Sequence, residues 1–167
     1  MVLAIGLLVI GILSRFIPHA PNFTPVLALA LFGGAYLRRS HAIFLPLFLM
    51  IVSDVFLGLH ATIPFTWGSV LVCSLIGLWV RKNRTPVRML GGAFMSAIFF
   101  FMVTNFGSWL AYYPQTAAGL KECYILAVPF FRATLVSTLG YSLVLFGAYE
   151  IIARRVKDTA LAPVLLQ

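Results

Sequence analysis

The sequence is poor in charged residues and poorest in acidic ones. Only 10% of its 167 residues are charged, and only four of them are Asp or Glu. Soluble domains carry about 25% charged residues, so this composition excludes a soluble globular domain. The mean hydropathy of +1.03 and the 62% apolar content also exclude a disordered chain, which needs low hydrophobicity and high charge.

Residues and motifs that carry catalysis or metal binding are also scarce. The two cysteines lack the spacing of a zinc site and cannot build a disulfide framework. The sequence contains neither an H-E-x-x-H motif nor a glycine-rich phosphate-binding loop. Its four acidic residues are scattered and offer no general acid and base pair. We therefore expect no enzymatic activity, no ATP hydrolysis, no metal site and no cofactor beyond a bound substrate.

Apolar runs, by contrast, fill most of the chain. A membrane-spanning helix needs about 20 residues, and the prolines and basic clusters divide the chain into six candidate spans: 1–17, 25–37, 42–59, 64–80, 89–112 and about 133–153. The second span is short, so we expect it to tilt, to lie inside the protein or to extend into the preceding segment. We expect a polar segment at 114–122 and an interfacial helix at 123–132.

The distribution of basic residues tests this count of spans. Six spans place nine of the 12 Lys and Arg residues on one face and leave only Arg15, Lys121 and Arg132 on the other. Such segregation is typical of the positive-inside rule. It predicts an all-α, six-helix transmembrane bundle over 1–167, with both termini and the 154–167 tail in the cytoplasm. The net charge of +8 then reports topology and a lipid bilayer as partner, not nucleic acid.

The predicted outer face gathers polar and aromatic residues that could bind a small molecule. A carboxylate in a membrane span is costly and usually faces the protein interior or a cavity, so Asp54 is the first candidate. Arg132 is its expected ionic partner, because few other cations lie on that face. The candidate substrate-binding residues are His19, Asn22, Asp54, Trp67, Asn105, Trp109, Tyr112 and Arg132. The alternatives are an aromatic belt at the interface and polar residues with purely structural roles.

Several short segments resemble a known type of membrane protein. They are Asn-Phe-Thr-Pro-Val at 22–26, Leu-Phe-Gly-Gly-Ala-Tyr at 31–36, Pro-Phe-Thr-Trp-Gly-Ser at 64–69, Thr-Asn-Phe-Gly at 104–107 and Pro-Phe-Phe-Arg at 129–132. These segments resemble a still uncharacterised bacterial membrane family that is similar to the S-components of energy-coupling factor (ECF) vitamin transporters. Six short spans in a chain of this size fit the same resemblance.

The pattern is most similar to the solitary S-components that carry vitamin B12. The resemblance implies that His19, Asp54 and Arg132 occupy positions of the corrinoid site, while the cysteine of that site falls near Trp67. A bound corrinoid is therefore one candidate substrate. The first span has Leu8 four residues after Ala4, where S-components that dock on a shared transmembrane partner carry a second alanine. An ECF-type ATPase module and solitary operation both stay open.

The leading hypothesis is a substrate-binding protein of the bacterial inner membrane that takes up a small vitamin-like molecule. Its outward cavity would be capped by segment 18–25, the loop around His60 and segment 114–122, with aromatic residues enclosing the ligand. The alternative is a non-transporting accessory subunit of a larger membrane complex. That subunit would satisfy its polar residues internally and would have no outward cavity.

Overall fold

A computed structural model of the protein describes residues 2–18 and 20–166, and in these ranges it is all-helical. The helices are α1 (Val2–Leu13), α2 (Val26–Tyr36), α3 (Arg39–Leu57), α4 (Ile63–Arg81), α5 (Pro86–Tyr112), α6 (Ala117–Val156) and the short α7 (Ala162–Leu165), with a 3-10 turn at Ser14–Phe16 after α1. His19 lies outside the described residues.

Four of the helices, α3 to α6, are long and apolar enough to cross a membrane. The length and composition of these helices indicate a membrane-embedded protein, as the apolar runs predict. The predicted bounds of the first two spans agree with the structure to within one residue at each described end, because α1 with its 3-10 turn ends at Phe16 and α2 is Val26–Tyr36. Both helices are shorter than the four long ones. Pro18 and Pro25 lie between these helices, and the described residues 17–18 and 20–25 are not helical.

The prediction of a separate interfacial helix at 123–132, followed by a span that begins near residue 133, is wrong. Helix α6 runs unbroken for 40 residues from Ala117, and only residues 114–116 of the predicted polar segment form the loop between α5 and α6. Thr116 caps its first turn by accepting a hydrogen bond from the Gly119 amide at 3.1 Å. Pro129 lies within the helix without ending it, which membrane helices tolerate.

Helix α2 is the centre of the fold. All ten residues from Val26 to Ala35 are buried, and the helix contacts α1, α3, α4, α5 and α6. Its apolar residues have no single preferred face, as expected for a helix surrounded by protein. Of the three arrangements that its short length allowed, the structure therefore shows the one in which it lies inside the protein.

A contact between glycines joins α2 to α4. A Cβ atom on Gly34 would lie 2.6 Å from the Cα of Gly77, and one on Gly77 would lie 2.7 Å from the Cα of Gly34. No real Cβ fits at such distances, so the two backbones touch directly. Small residues at helix crossings allow this approach, and it gives dispersion contacts that larger side chains would prevent.

Hydrogen bonds from an arginine and contacts between aromatic rings hold the helices together at the C-terminal end of α2. Arg81 of α4 donates to the Gly34 carbonyl from Nε at 3.1 Å and from Nη2 at 2.6 Å, and also to the Leu37 carbonyl. These bonds satisfy carbonyl groups that a helix C-terminus leaves free. Tyr36 donates to Glu150 of α6 at 2.7 Å and stacks near Tyr149, with ring centroids 4.0 Å apart.

We call this end the basic end, because the nine basic residues that the sequence assigned to one face lie at or beyond the helix ends that meet here. They are Arg38, Arg39, Arg81, Lys82, Arg84, Arg88, Arg154, Arg155 and Lys157. The opposite end, where α2 begins and α3 and α5 end, is called the cavity end.

The glycine contact predicts opposite effects for two substitutions in the same helix. Gly77→Ala should lower the free energy of unfolding by about 1–3 kcal/mol, because the new methyl group would overlap the backbone of α2. Gly68→Ala should raise it by up to about 1 kcal/mol, because nothing lies within 4 Å of its Cβ position and alanine favours a helix. Thermal unfolding in detergent measures both, and equal effects would contradict the contact.

Candidate functional site

A cavity of about 310 Å³ opens at the cavity end. Its deepest walls come from the start of α2 and the middle of α6, whereas exposed Asn22 and His60 lie at its mouth. The lining residues come from the turn after α1, the segment before α2, the start of α2, the C-terminal half of α3, the loop between α3 and α4, the start of α4, and from α5 and α6. They are Arg15, Asn22, Thr24, Val26, Leu27, Met50, Asp54, His60, Thr62, Thr66, Phe100, Phe101, Thr104, Asn105, Ser108, Phe130, Phe131, Thr134, Ser137 and Thr138.

One wall of the cavity is a buried ion pair. Asp54 is 3% exposed, and its Oδ1 lies 3.0 Å from Nη2 of Arg15. Its Oδ2 accepts a hydrogen bond from Nε1 of Trp67 at 2.9 Å, so both carboxylate oxygens are occupied. The Arg15 guanidinium also donates to Ser53 and contacts the Met50 sulfur at 3.0 Å. A charge this deep needs such compensation, and the pair leaves the wall without net charge.

The prediction that Arg132 pairs with Asp54 is therefore wrong. Arg132 is exposed on α6 and does not line the cavity, whereas Arg15 does. The 3-10 turn that follows α1 carries Arg15 to the end of α3. The sequence did contain a signal for this partner, because Arg15 is one of only three basic residues assigned to that face.

Hydroxyl groups dominate the rest of the polar lining, and most of them bond to their own helix. Each of five hydroxyls donates to a backbone carbonyl three or four residues earlier, at 2.8–3.3 Å; they are Thr66, Thr104, Ser108, Thr134 and Ser137. Such a hydroxyl has used its proton, and its oxygen can then only accept. These side chains therefore offer the cavity hydrogen-bond acceptors.

Four aromatic rings form more than half of the apolar side chains in the lining. Phe100 and Phe101 come from α5, and Phe130 and Phe131 come from α6. The rings of Phe101 and Phe131 are 4.7 Å apart and tilted by 45°. Polar groups among aromatic rings are the usual composition of a small-molecule site.

The structure brings together three of the eight predicted site residues. Asn22, Asp54 and Asn105 line the cavity. Trp67 lies outside the lining but contacts Asp54, so it positions that carboxylate.

Three other predicted residues are not in the lining. Trp109 donates to the Pro114 carbonyl at 3.0 Å, Tyr112 is 63% exposed, and Arg132 is exposed as well. The eighth residue, His19, lies outside the described residues. Segment 114–122 contributes no lining residue, whereas segment 18–25 and the His60 loop do.

Sequence reasoning missed Arg15 and the hydroxyls of α6. Thr134, Ser137 and Thr138 fall within a long apolar run, where each looks like an ordinary tolerated hydroxyl. Their spacing of three and four residues places them on one helix face, which was the available signal. Among the described residues no group of three or more His, Cys, Asp or Glu side chains could hold a metal ion.

Comparison with known protein families identifies the family of this chain. A family of unknown function, DUF6580, matches residues 1–161. The chain belongs to this family. No curated protein and no solved structure matches the chain.

Removing either partner of the buried ion pair should destabilise this DUF6580 member strongly. Asp54→Asn and Arg15→Met should each lower the free energy of unfolding by about 3–5 kcal/mol, because each leaves an uncompensated buried charge. The double variant Arg15→Met/Asp54→Asn should cost less than the sum of the two. Arg132→Met is the matched control and should change the free energy of unfolding by less than about 0.5 kcal/mol. Denaturation in detergent gives all four values, and a large effect of the control alone would refute the pairing.

Proposed function

We propose that the protein is a substrate-binding protein of the bacterial inner membrane that takes up a small vitamin-like molecule. The observation that carries this proposal is the polar, aromatic-walled cavity at one end of a chain in which only 10% of residues are charged. Polar groups at membrane depth are costly and usually mark a substrate pathway or binding site.

The volume of the cavity limits the size of its ligand. Small-molecule sites occupy about 300–1,000 Å³, so a cavity of about 310 Å³ suits a small one-ring or two-ring compound. A corrinoid carries a macrocycle with amide side chains and a nucleotide loop, and it is much larger. Trp67, near the position that the corrinoid resemblance gives to cysteine, donates to Asp54. We therefore favour a smaller vitamin-like molecule over a corrinoid.

The segregated charges support an orientation for uptake. Nine basic residues lie at the basic end, which the positive-inside rule places in the cytoplasm, so the cavity end would face outward. In this arrangement both termini are cytoplasmic. The sequence has no nucleotide-binding motif, so an ECF-type ATPase module is the partner we propose where uptake is energised.

The rival proposal is a non-transporting accessory subunit of a larger membrane complex. It requires that the polar side chains satisfy one another inside the protein. The open cavity and the presence of a buried cavity hydroxyl without a partner among the described residues both favour a binding protein.

Two substitutions on α5 test the binding function. Asn105→Leu should abolish ligand retention, because it replaces an amide in the lining by an apolar group. Met102 lies on the same helix, is half exposed and is not a lining residue. The variant Met102→Leu should therefore retain the ligand. The measurement is mass spectrometry of small molecules released from the purified variants, together with uptake by cells that express them. Equal retention and uptake in both variants would contradict the proposal.

A further inference from the structure

Thr138 is the one residue of the cavity lining whose buried hydroxyl lacks a hydrogen bond among the described residues. It is fully buried on α6, and its Oγ1 has no partner in the part of the chain that the structure describes. The neighbouring cavity hydroxyls on the same helix, Thr134 and Ser137, donate to α6 carbonyls. A buried hydroxyl that is left unpaired costs free energy, so a partner that arrives with a ligand would recover that cost.

A second group of unsatisfied donors opens onto the same cavity. Helix α2 begins at Val26 after Pro25, and no side chain caps it in the described residues. Val26 and Leu27 line the cavity, and the backbone amides of a first helical turn point toward the N-terminus without intrahelical partners. Thr138 lies near the start of α2. Its neighbour Ser137 contacts the carbonyl of Asn22 at 3.4 Å, and Asn22 is four residues before the first residue of α2.

The rest of the polar lining offers hydrogen-bond acceptors instead of donors. The five hydroxyls that bond to their own helices offer acceptor oxygens. The charges of Arg15 and Asp54 compensate each other, so the described lining residues offer no unpaired Lys or Arg to an anionic ligand. The cavity thus combines a donor region, formed by Thr138 and the start of α2, with a larger acceptor region.

We propose that the ligand is an uncharged small molecule with a planar amide group, such as a carboxamide, a lactam or a ureide. Its carbonyl oxygen accepts from Thr138 and from the first turn of α2, and its N–H groups donate to the hydroxyl oxygens. Its flat face lies against the rings of Phe101 and Phe131. A carboxylate would meet the donors but has no N–H group for the acceptors. This inference rests on the proposed binding function and specifies its ligand.

Thr138→Val tests the role of the hydroxyl without changing the shape of the side chain. It should raise the melting temperature by about 2–4 °C, because it removes an unsatisfied buried hydroxyl. It should also weaken the binding of benzamide about threefold to tenfold, the factor expected for one hydrogen bond. Both values are measured on the full-length protein in detergent, by thermal unfolding and by saturation-transfer NMR titration.

Ser96→Ala and Ser142→Ala are matched controls. Both hydroxyls are equally buried and without a partner in the described part of the chain, but neither lines the cavity. They should raise the melting temperature as Thr138→Val does and leave benzamide binding unchanged. A lower melting temperature for Thr138→Val with unchanged benzamide affinity would show a structural hydroxyl and overturn the inference.

Three benzamide-sized probes separate the ligand classes. Benzamide should bind more tightly than N,N-dimethylbenzamide, which has lost its N–H donors, and more tightly than benzoate, which is charged. Tightest binding of benzoate would overturn the amide class and leave the proposed binding function standing. Equal binding of benzamide and N,N-dimethylbenzamide would overturn the donor–acceptor match. Binding of none of the three would overturn the proposed function itself, because the cavity has room for each of them.

Discussion

The direct backbone contact between Gly34 and Gly77 is the constraint on which the rest of the fold depends. It fixes α2 against α4 at a distance that only glycine permits. With α2 held in this way, the other helices surround it and bury ten consecutive residues. The position of this one short helix then decides where the interior is filled and where it is open.

The cavity follows from the length of α2. An 11-residue helix is about 16 Å long, whereas the 27 residues of α5 extend about 40 Å. Helix α2 is joined to α4 by Arg81 at the basic end, so the shortfall in its length falls at the cavity end. There the long helices continue past the start of α2 and leave a space that side chains do not fill. The ion pair of Arg15 and Asp54 forms one wall of that space and keeps it free of net charge.

The long spans could be predicted from the sequence because their limits are chemically marked. The predicted spans 42–59, 64–80 and 89–112 lie within three residues of α3, α4 and α5 at each end, because prolines and basic clusters interrupt the apolar runs there. The unbroken course of α6 could not be predicted in the same way. Pro129 and the polar residues before it look like a boundary, yet the membrane environment favours a continuous helix with satisfied backbone groups.

The candidate site was only partly predictable, because ionic partners are chosen by tertiary structure. The burial of Asp54 follows from its place in an apolar span, but the sequence alone did not distinguish Arg15 from Arg132. Only the packing of the turn after α1 against α3 brings Arg15 to the carboxylate. The tryptophans were similarly ambiguous, since an indole donor in a membrane protein finds partners both in the interior and at the interface. Trp67 donates to Asp54 in the protein interior, whereas Trp109 donates to a carbonyl of the loop after α5.

The two ends of α2 face the same physical requirement and meet it differently. A helix that is buried on all sides cannot leave its terminal backbone groups to bulk water, so each end needs partners nearby. At the basic end the protein supplies them itself, through the guanidinium of Arg81. At the cavity end no described side chain caps the first turn, and the nearby Thr138 hydroxyl is also unpaired. The unsatisfied donors are therefore concentrated where the protein has left space, and whatever enters that space completes the hydrogen bonding of its central helix.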